Sequence, residues 1–264
     1  MLRVSNLFLT FHPGTPLETR ALDGMSVEIP DGQFVTVIGS NGAGKSTLLN
    51  AISGDLRVDS GRIEVAGVNV THLPTWNRVG LVSRVFQDPM IGTCDALTIE
   101  ENMALASMRG KKRSLLPALR LSQRSFYQEQ LRKLGLGLEA RLNDRIGLLS
   151  GGQRQAVSLL MASLQPSEIL LLDEHTAALD PKTAAFILEL TRAIVNEKRI
   201  TTLMVTHSMK QALELGDRTL MLHKGQVVLD VSGEERKGMQ VRDLLNMFER
   251  VQGEAIADDA LLLS

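Results

Sequence analysis

Eight consecutive residues, Gly39-Ser40-Asn41-Gly42-Ala43-Gly44-Lys45-Ser46, keep the spacing G-x-x-x-x-G-K-[ST], and Thr47 follows them. Glycines let a backbone wrap closely round phosphates and turn its N–H groups inward at the start of a helix. Lys45 supplies a point charge for β- and γ-phosphates, and Ser46 supplies a hydroxyl for Mg2+. Such a loop needs an acidic partner. Ile169-Leu170-Leu171-Leu172-Asp173-Glu174 places two carboxylates directly after four apolar residues. They stand at the end of a buried strand, where α/β sheets put their sites. Asp173 is the expected water-mediated Mg2+ partner, and Glu174 is placed to polarise an attacking water as general base. The chemistry this points to is hydrolysis or transfer of a terminal phosphate.

The elements that must position these groups can be read around them. Strands are expected at Leu2–Phe11, 25–29 and 33–39, separated by Pro and Gly punctuation. Leu48, Leu49 and Ile52 give Lys45–Ser53 helical spacing, and Gly54 ends it. The phosphate loop therefore lies between a strand and a helix, the context its motif requires. Further strands are expected at 62–65, 81–86, 168–172, 200–205, 218–222 and 226–229, with helices at 182–195, 208–215 and 241–251. Residues 96–164 carry no convincing strand signal and read as almost wholly helical. Strands alternating with helices imply a parallel-sheet α/β core, with the helical block inserted into it as a subdomain. Residues 1–240 are expected to form one domain, and 241–264 a C-terminal helix with an acidic tail.

Composition removes several function classes. The chain has 264 residues, a net charge of −1 and 3% aromatics. Neither a DNA-coating basic surface nor a platform of aromatics for stacked bases is expected. The single Cys94 fits a reducing compartment. No run approaches the about 18 apolar residues of a membrane span, and residues 1–14 do not read as a secretory signal.

Four more segments fall in register with the first two. Leu149-Ser150-Gly151-Gly152-Gln153-Arg154-Gln155 closely resembles the signature sequence of ATP-binding cassette (ABC) ATPases. Phe86-Gln87-Asp88-Pro89 resembles their Q-loop, Ala178-Leu179-Asp180 their D-loop, and Val205-Thr206-His207-Ser208 their switch histidine. Phe11 stands where these proteins carry an aromatic that stacks on adenine. All motifs are present and in order over about residues 2–229.

The resemblance implies a P-loop NTPase (RecA-like) core with an antiparallel β subdomain and an inserted α-helical signature subdomain. It implies ATP and Mg2+ as ligands. Ser46, Gln87 and Asp173 would attend the metal, and Glu174, His207 and Gln87 the reaction. Ser150, Gly151, Gly152, Gln153 and Asp180 would face the nucleotide of a second copy in a head-to-tail dimer, expected to be a homodimer. The further partners implied are permease subunits and a solute-binding protein, with no nucleic acid. The chain would sit peripherally on the cytoplasmic face of the membrane. Separate ATPase chains of this kind are typical of bacterial importers, and a helical segment of this length is reminiscent of amino-acid importers. The alternative is a soluble ABC ATPase acting on DNA or the ribosome. The short spacing from Lys45 to Ser150, the single cassette and the lone cysteine speak against it. An unrelated P-loop kinase leaves Ser150–Gln155 unexplained.

Two features depart from the pattern or stand outside it. His175 occupies a position where most members carry proline. It is either a neutral replacement or a ring that influences the ionisation of Glu174. A basic run, Arg109, Lys111, Lys112, Arg113, Arg120 and Arg124, reads as a solvated segment or as one facing anionic lipid. Residues 90–97, after the Q-loop, are the expected docking segment for a membrane partner.

Overall fold

Residues 1–111, 119 and 121–252 are described by a computed structural model. Strands β1 (Leu2–Phe11) and β2 (Thr19–Ile29) pair antiparallel, with Leu2, Val4, Leu7 and Leu9 buried. Strand β3 (Phe34–Gly39) starts a second sheet and leads through the phosphate loop into helix α1 (Lys45–Ser53). Strands β4 (Ser60–Val65) and β5 (Val68–Asn69) return to the first sheet, whose order is β2-β1-β4-β5.

A short helix α2 (Thr75–Arg78) then precedes β6 (Val82–Val85). Helices α3 (Ile99–Ser107), α4 (Leu121–Arg132) and α5 (Gly151–Ser163) follow. The chain re-enters the second sheet with β7 (Ile169–Asp173), α6 (Pro181–Lys198), β8 (Thr201–Val205), α7 (Met209–Leu215), β9 (Arg218–His223) and β10 (Gln226–Ser232). Helices α8 (Gly233–Arg236) and α9 (Val241–Gln252) end the described chain.

The second sheet runs β10-β9-β3-β8-β7-β6, parallel except for β10 against β9. Its central strands β3 and β8 are buried throughout, as a sheet covered on both faces requires. One core cluster joins the two sheets beneath α1, through Leu22, Val37, Leu48, Leu171 and Leu203. A separate cluster holds α3, α4 and α5 together, through Met103, Tyr127, Leu131, Val157 and Leu160. Leu244 and Phe248 of α9 pack on Ile38, Met209 and Met221. Among the described residues no helix is long and apolar enough to cross a membrane.

Most expected elements lie within a residue or two of their observed bounds; helix α6 runs on to Lys198 rather than ending at residue 195, and four further differences stand out. Strand β2 starts at Thr19 rather than residue 25, and Arg20, Asp23 and Gly24 hid its first half. Gly24 has φ 69° beside a shift in the β1–β2 register, an interruption that a linear pattern reads as a turn. Strand β10 runs on to Ser232 rather than ending at residue 229. The short elements β5, α2 and α8 were not anticipated. The block 96–164 is less helical than expected. Gly135 and Gly137 take φ of 65° and 70° after α4, and two single-turn 3-10 helices, Leu138–Ala140 and Ile146–Leu148, lead to α5.

Within the basic run, Arg109 donates to Gln165 O at 2.9 Å and Arg124 pairs with Glu100. Both are tied to the protein itself. Lys112, Arg113, Arg120 and the acidic tail after residue 253 lie outside the described residues.

Candidate active site

The phosphate loop has a backbone that glycine alone supplies. Gly39, Gly42 and Gly44 have φ of 146°, 76° and 99°. A Cβ on Gly39 would stand 2.3 Å from Leu222 O, and one on Gly44 2.5 Å from Ala21 O. The loop is thus pressed against β9 and β2 while Asn41, Gly42 and Ser46 stay exposed at its lip. Gly44→Ala combines a strained φ with a backbone clash, so a loss of about 2 kcal/mol or more is expected. The melting temperature, about 2–4 °C per kcal/mol at this size, reads it.

Lys45 is buried and donates from Nζ to Gly39 O at 2.7 Å and Ser40 O at 3.0 Å. Its charge therefore lies inside the curl of the loop, at the N-terminus of α1, where the helix dipole favours an anion. Ala43 is buried in the cluster against which the half-buried Phe11 packs, at the end of β1. Thr47 stands next to Ser46 in the first turn of α1.

Strand β7 delivers the two acids as expected. Ile169 to Leu172 are buried, and Asp173 emerges at the sheet's C-terminal edge. Ser46 Oγ lies 3.4 Å from Asp173 Oδ1, so the loop and the strand end meet. Gln87, exposed after β6, lines with Asp173, Asn50 and Asp88 a cavity of about 510 Å3. The hydroxyl of Ser46, the carboxylate of Asp173 and the amide of Gln87 form an all-oxygen donor set of the kind that suits Mg2+.

Glu174 takes the left-handed φ of 45°, a strained backbone for a residue with a side chain. Its N–H donates to Val205 O at 3.1 Å, so the end of β8 fixes it. The same strand end presents His207, whose Nε2 lies 2.6 Å from Glu174 Oε1. Just beyond, Ser208 caps α7 by accepting from Gln211 N, and Thr206 Oγ1 donates to Gln211 Oε1 at 2.8 Å. The pair Glu174–His207 is a carboxylate with a ring that can orient it and share a proton.

His175 turns elsewhere. Its Nε2 lies 3.0 Å from Thr191 Oγ1 on α6, and Thr191 Oγ1 donates to Ile187 O at 2.8 Å. Thr191 spends its only hydrogen there, so the ring donates to it as the neutral Nε2–H tautomer. Burial lowers the pKa of His175 from 6.5 to about 4. Near neutral pH it has no charge to pass to Glu174, and the titrating-ring reading is not supported. Unfolding frees the ring to take up a proton, so its contribution is complete above pH 6.5 and is lost as the pH falls toward 4. That loss amounts to at most about 3 kcal/mol. Urea unfolding of His175→Gln is expected to show a shallower fall in stability between pH 7 and 5 than the native chain. Its pH–rate profile above pH 6 should superimpose on the native one.

The remaining expected residues gather on another face. Ser150 caps α5 in a capping box, accepting from Gln153 N at 3.3 Å while Gln153 Oε1 accepts from Ser150 N at 3.2 Å. Asp180 caps α6, accepting from Thr183 N at 3.1 Å. The hydrogen bonds to Thr183 lower its pKa. A Cβ on Gly152 would meet Thr183 Cγ2 at 2.2 Å, and one on Gly151 would reach Leu179 Cδ2 at 3.9 Å. The structure therefore brings Ser150–Gln153 and Asp180 together, with Ser150, Gly151 and Asp180 exposed. It seats α5 in the helical cluster rather than in the cluster under the phosphate loop. Gln155 links the two lobes, its Nε2 donating to Phe86 O at 3.1 Å next to Gln87.

One residue at the site was not anticipated. Arg84 on β6 bonds Asp173 Oδ2 at 2.6 Å. Its only linear signal is a charge inside a short strand.

A phosphate loop on a parallel sheet, with acids at the end of a strand next but one in that sheet, defines a P-loop nucleoside triphosphatase. The ABC transporter family model matches residues 22–177. The chain is 48% identical over 249 residues to a tyrosine transport ATP-binding protein of Clostridioides difficile (strain R20291), spanning 94% of this chain and 99% of that one. It is 33% identical over 234 residues to an energy-coupling factor transporter ATP-binding protein of Clostridium tetani (strain Massachusetts / E88), covering 87% and 78%. A dimeric post-hydrolysis cassette, MJ0796 bound to ADP and Pi, matches with a TM-score of 0.76 at 29% identity, covering 90% and 100%. The chain belongs to the ABC transporter family and is an ATP-hydrolysing cassette.

Proposed function

We propose that the chain is the ATPase subunit of an importer whose permease is a separate polypeptide, and that its solute is tyrosine or a similar amino acid. The observation that carries this is the near full-length similarity to a tyrosine transport ATP-binding protein. Both named relatives are transporter subunits, which favours this reading over action on DNA or the ribosome.

Within the site, Lys45 and the N–H groups of residues 39–47 bind the β- and γ-phosphates, and Phe11 stacks on adenine. Ser46, Asp173 and Gln87 would hold Mg2+, which would supply charge neutralisation at the phosphates. Glu174 accepts a proton from the attacking water, and His207 holds Glu174 in line for it. Ser150, Gly151, Gly152, Gln153 and Asp180 close over the nucleotide of a second, identical copy. The exposure of Ser150, Gly151 and Asp180 beside one another, away from their own phosphate loop, supports a site completed by two chains.

A groove of about 750 Å3 supports a docked permease. Ile91, Gly92, Thr93 and Cys94, from the expected docking segment, line it with Trp76 and Leu105. Trp76 is 73% exposed and Ile91 65%, an apolar patch that calls for a partner. Through that partner the chain sits on the cytoplasmic face of the membrane, and a solute-binding protein delivers the amino acid.

Affinity purification of the tagged chain from detergent-solubilised membranes tests the reading. It should bring down a multi-span permease whose reconstituted complex hydrolyses ATP faster with tyrosine and its binding protein. Recovery with ribosomes or DNA instead overturns it.

A further inference from the structure

Arg84 is the most heavily engaged charge near the site, and none of the motifs accounts for it. It projects from β6, next to β7 in the sheet, with its side chain 10% exposed. One terminal nitrogen, Nη2, donates to Asp173 Oδ2 at 2.6 Å. The other, Nη1, donates to Asn50 Oδ1 at 2.6 Å and Asp55 Oδ2 at 2.9 Å, with Ser53 Oγ at 3.4 Å. The guanidinium also lies over the Phe86 ring, 4.6 Å from its centroid, one residue before Gln87. One cation thus joins the end of the helix after the phosphate loop, the acid at the end of β7 and the base of the Q-loop.

The consequence falls on the two oxygens of Asp173. Arg84 takes Oδ2, and Oδ1 remains 3.4 Å from the Ser46 hydroxyl. A short charge-assisted bond to one oxygen restrains the rotation of the carboxylate and biases the direction of its other oxygen. Asn50 and Asp55 hold the far side of the guanidinium, so Arg84 is not free to swing away. We propose that Arg84 is a positioning residue for the Mg2+ site, clamping Asp173 so that Oδ1 faces Ser46. This rests on the assignment of Asp173 to the metal. Partners of this kind behind a metal-facing carboxylate change metal affinity by about 10–100-fold when removed.

The test is equilibrium binding of a fluorescent ATP analogue, titrated with Mg2+ and followed without turnover. Arg84→Met should raise the Mg2+ concentration at half-saturation about tenfold or more, while affinity for the analogue without Mg2+ stays within twofold. Arg84→Lys keeps the buried charge but cannot bridge the same acceptors, so it should fall between native and Met. It carries the test if the Met variant does not fold. Asp55→Asn, which retains an acceptor for Arg84 and leaves Asp173 clamped, should match the native chain. Asp173→Asn separates the two claims. If it shifts the Mg2+ requirement and the Arg84 variants do not, the clamp is wrong. If Asp173→Asn itself changes nothing, the metal assignment fails. A lower Mg2+ requirement in Arg84→Met, or equal weakening with and without Mg2+, also overturns the clamp.

Discussion

Glu174→Gln is expected to bind Mg2+–ATP as the native chain does and to lose hydrolysis by about 10²–10⁴-fold. The replacement keeps side-chain size and an acceptor for His207, but it removes the group that takes the proton. The lost interaction belongs to the transition state, so kcat should fall with little change in KM. The strained φ of 45° at this residue supports a functional place for the side chain, since a solvated acid at a strand end needs no such backbone. A single-turnover assay with radiolabelled ATP reads the result. Full retained activity would remove Glu174 from the reaction.

Gly151→Asp is the second large effect, and it separates activity from stability. Gly151 is the first residue of α5, and its Cβ position is open apart from Leu179 at 3.9 Å. A carboxylate in the first turn of a helix favours the helix dipole by about 0.3–1 kcal/mol. The variant should therefore fold at least as stably as the native chain and bind ATP as a monomer. It nevertheless places a negative charge where the signature face would meet the γ-phosphate of a partner's ATP. Steady-state hydrolysis is expected to fall by at least about 10²-fold, the scale attached to losing a phosphate-stabilising group. Unchanged hydrolysis would mean that this face does not meet nucleotide.

What could be read linearly, and what could not, follows from where the partners of each residue lie. The phosphate loop and the Asp173–Glu174 pair carry their context with them, a strand before and a helix or turn after. His207 follows a buried strand directly, so its place beside Glu174 comes from β7 and β8 being neighbours in the parallel sheet. Ser150 and Gln153 form a local capping box, visible as S-x-x-Q. Other features depend on pairings that no local window contains. Arg84 meets Asp55 and Asp173 from 29 and 89 positions away. The partner of His175 is Thr191, one helix later, and only their contact shows that the ring is buried and neutral. The first half of β2 was hidden for a similar reason. Arg20, Asp23 and Gly24 look like a turn until β1 pairs with them. The adjacency of Gly152 to Thr183, which makes one surface of the signature and D-loop segments, likewise exists only in the folded chain.

The central claim is that two copies complete each nucleotide site, and sedimentation of Glu174→Gln with Mg2+–ATP tests it most directly. The account predicts a species of twice the 28.9 kDa chain mass that appears with ATP and reverts to monomer with ADP. It also predicts that adding Gly151→Asp to the same chain keeps it monomeric with ATP bound. A monomer saturated with ATP in the single variant, or an equal dimer in both, would contradict it.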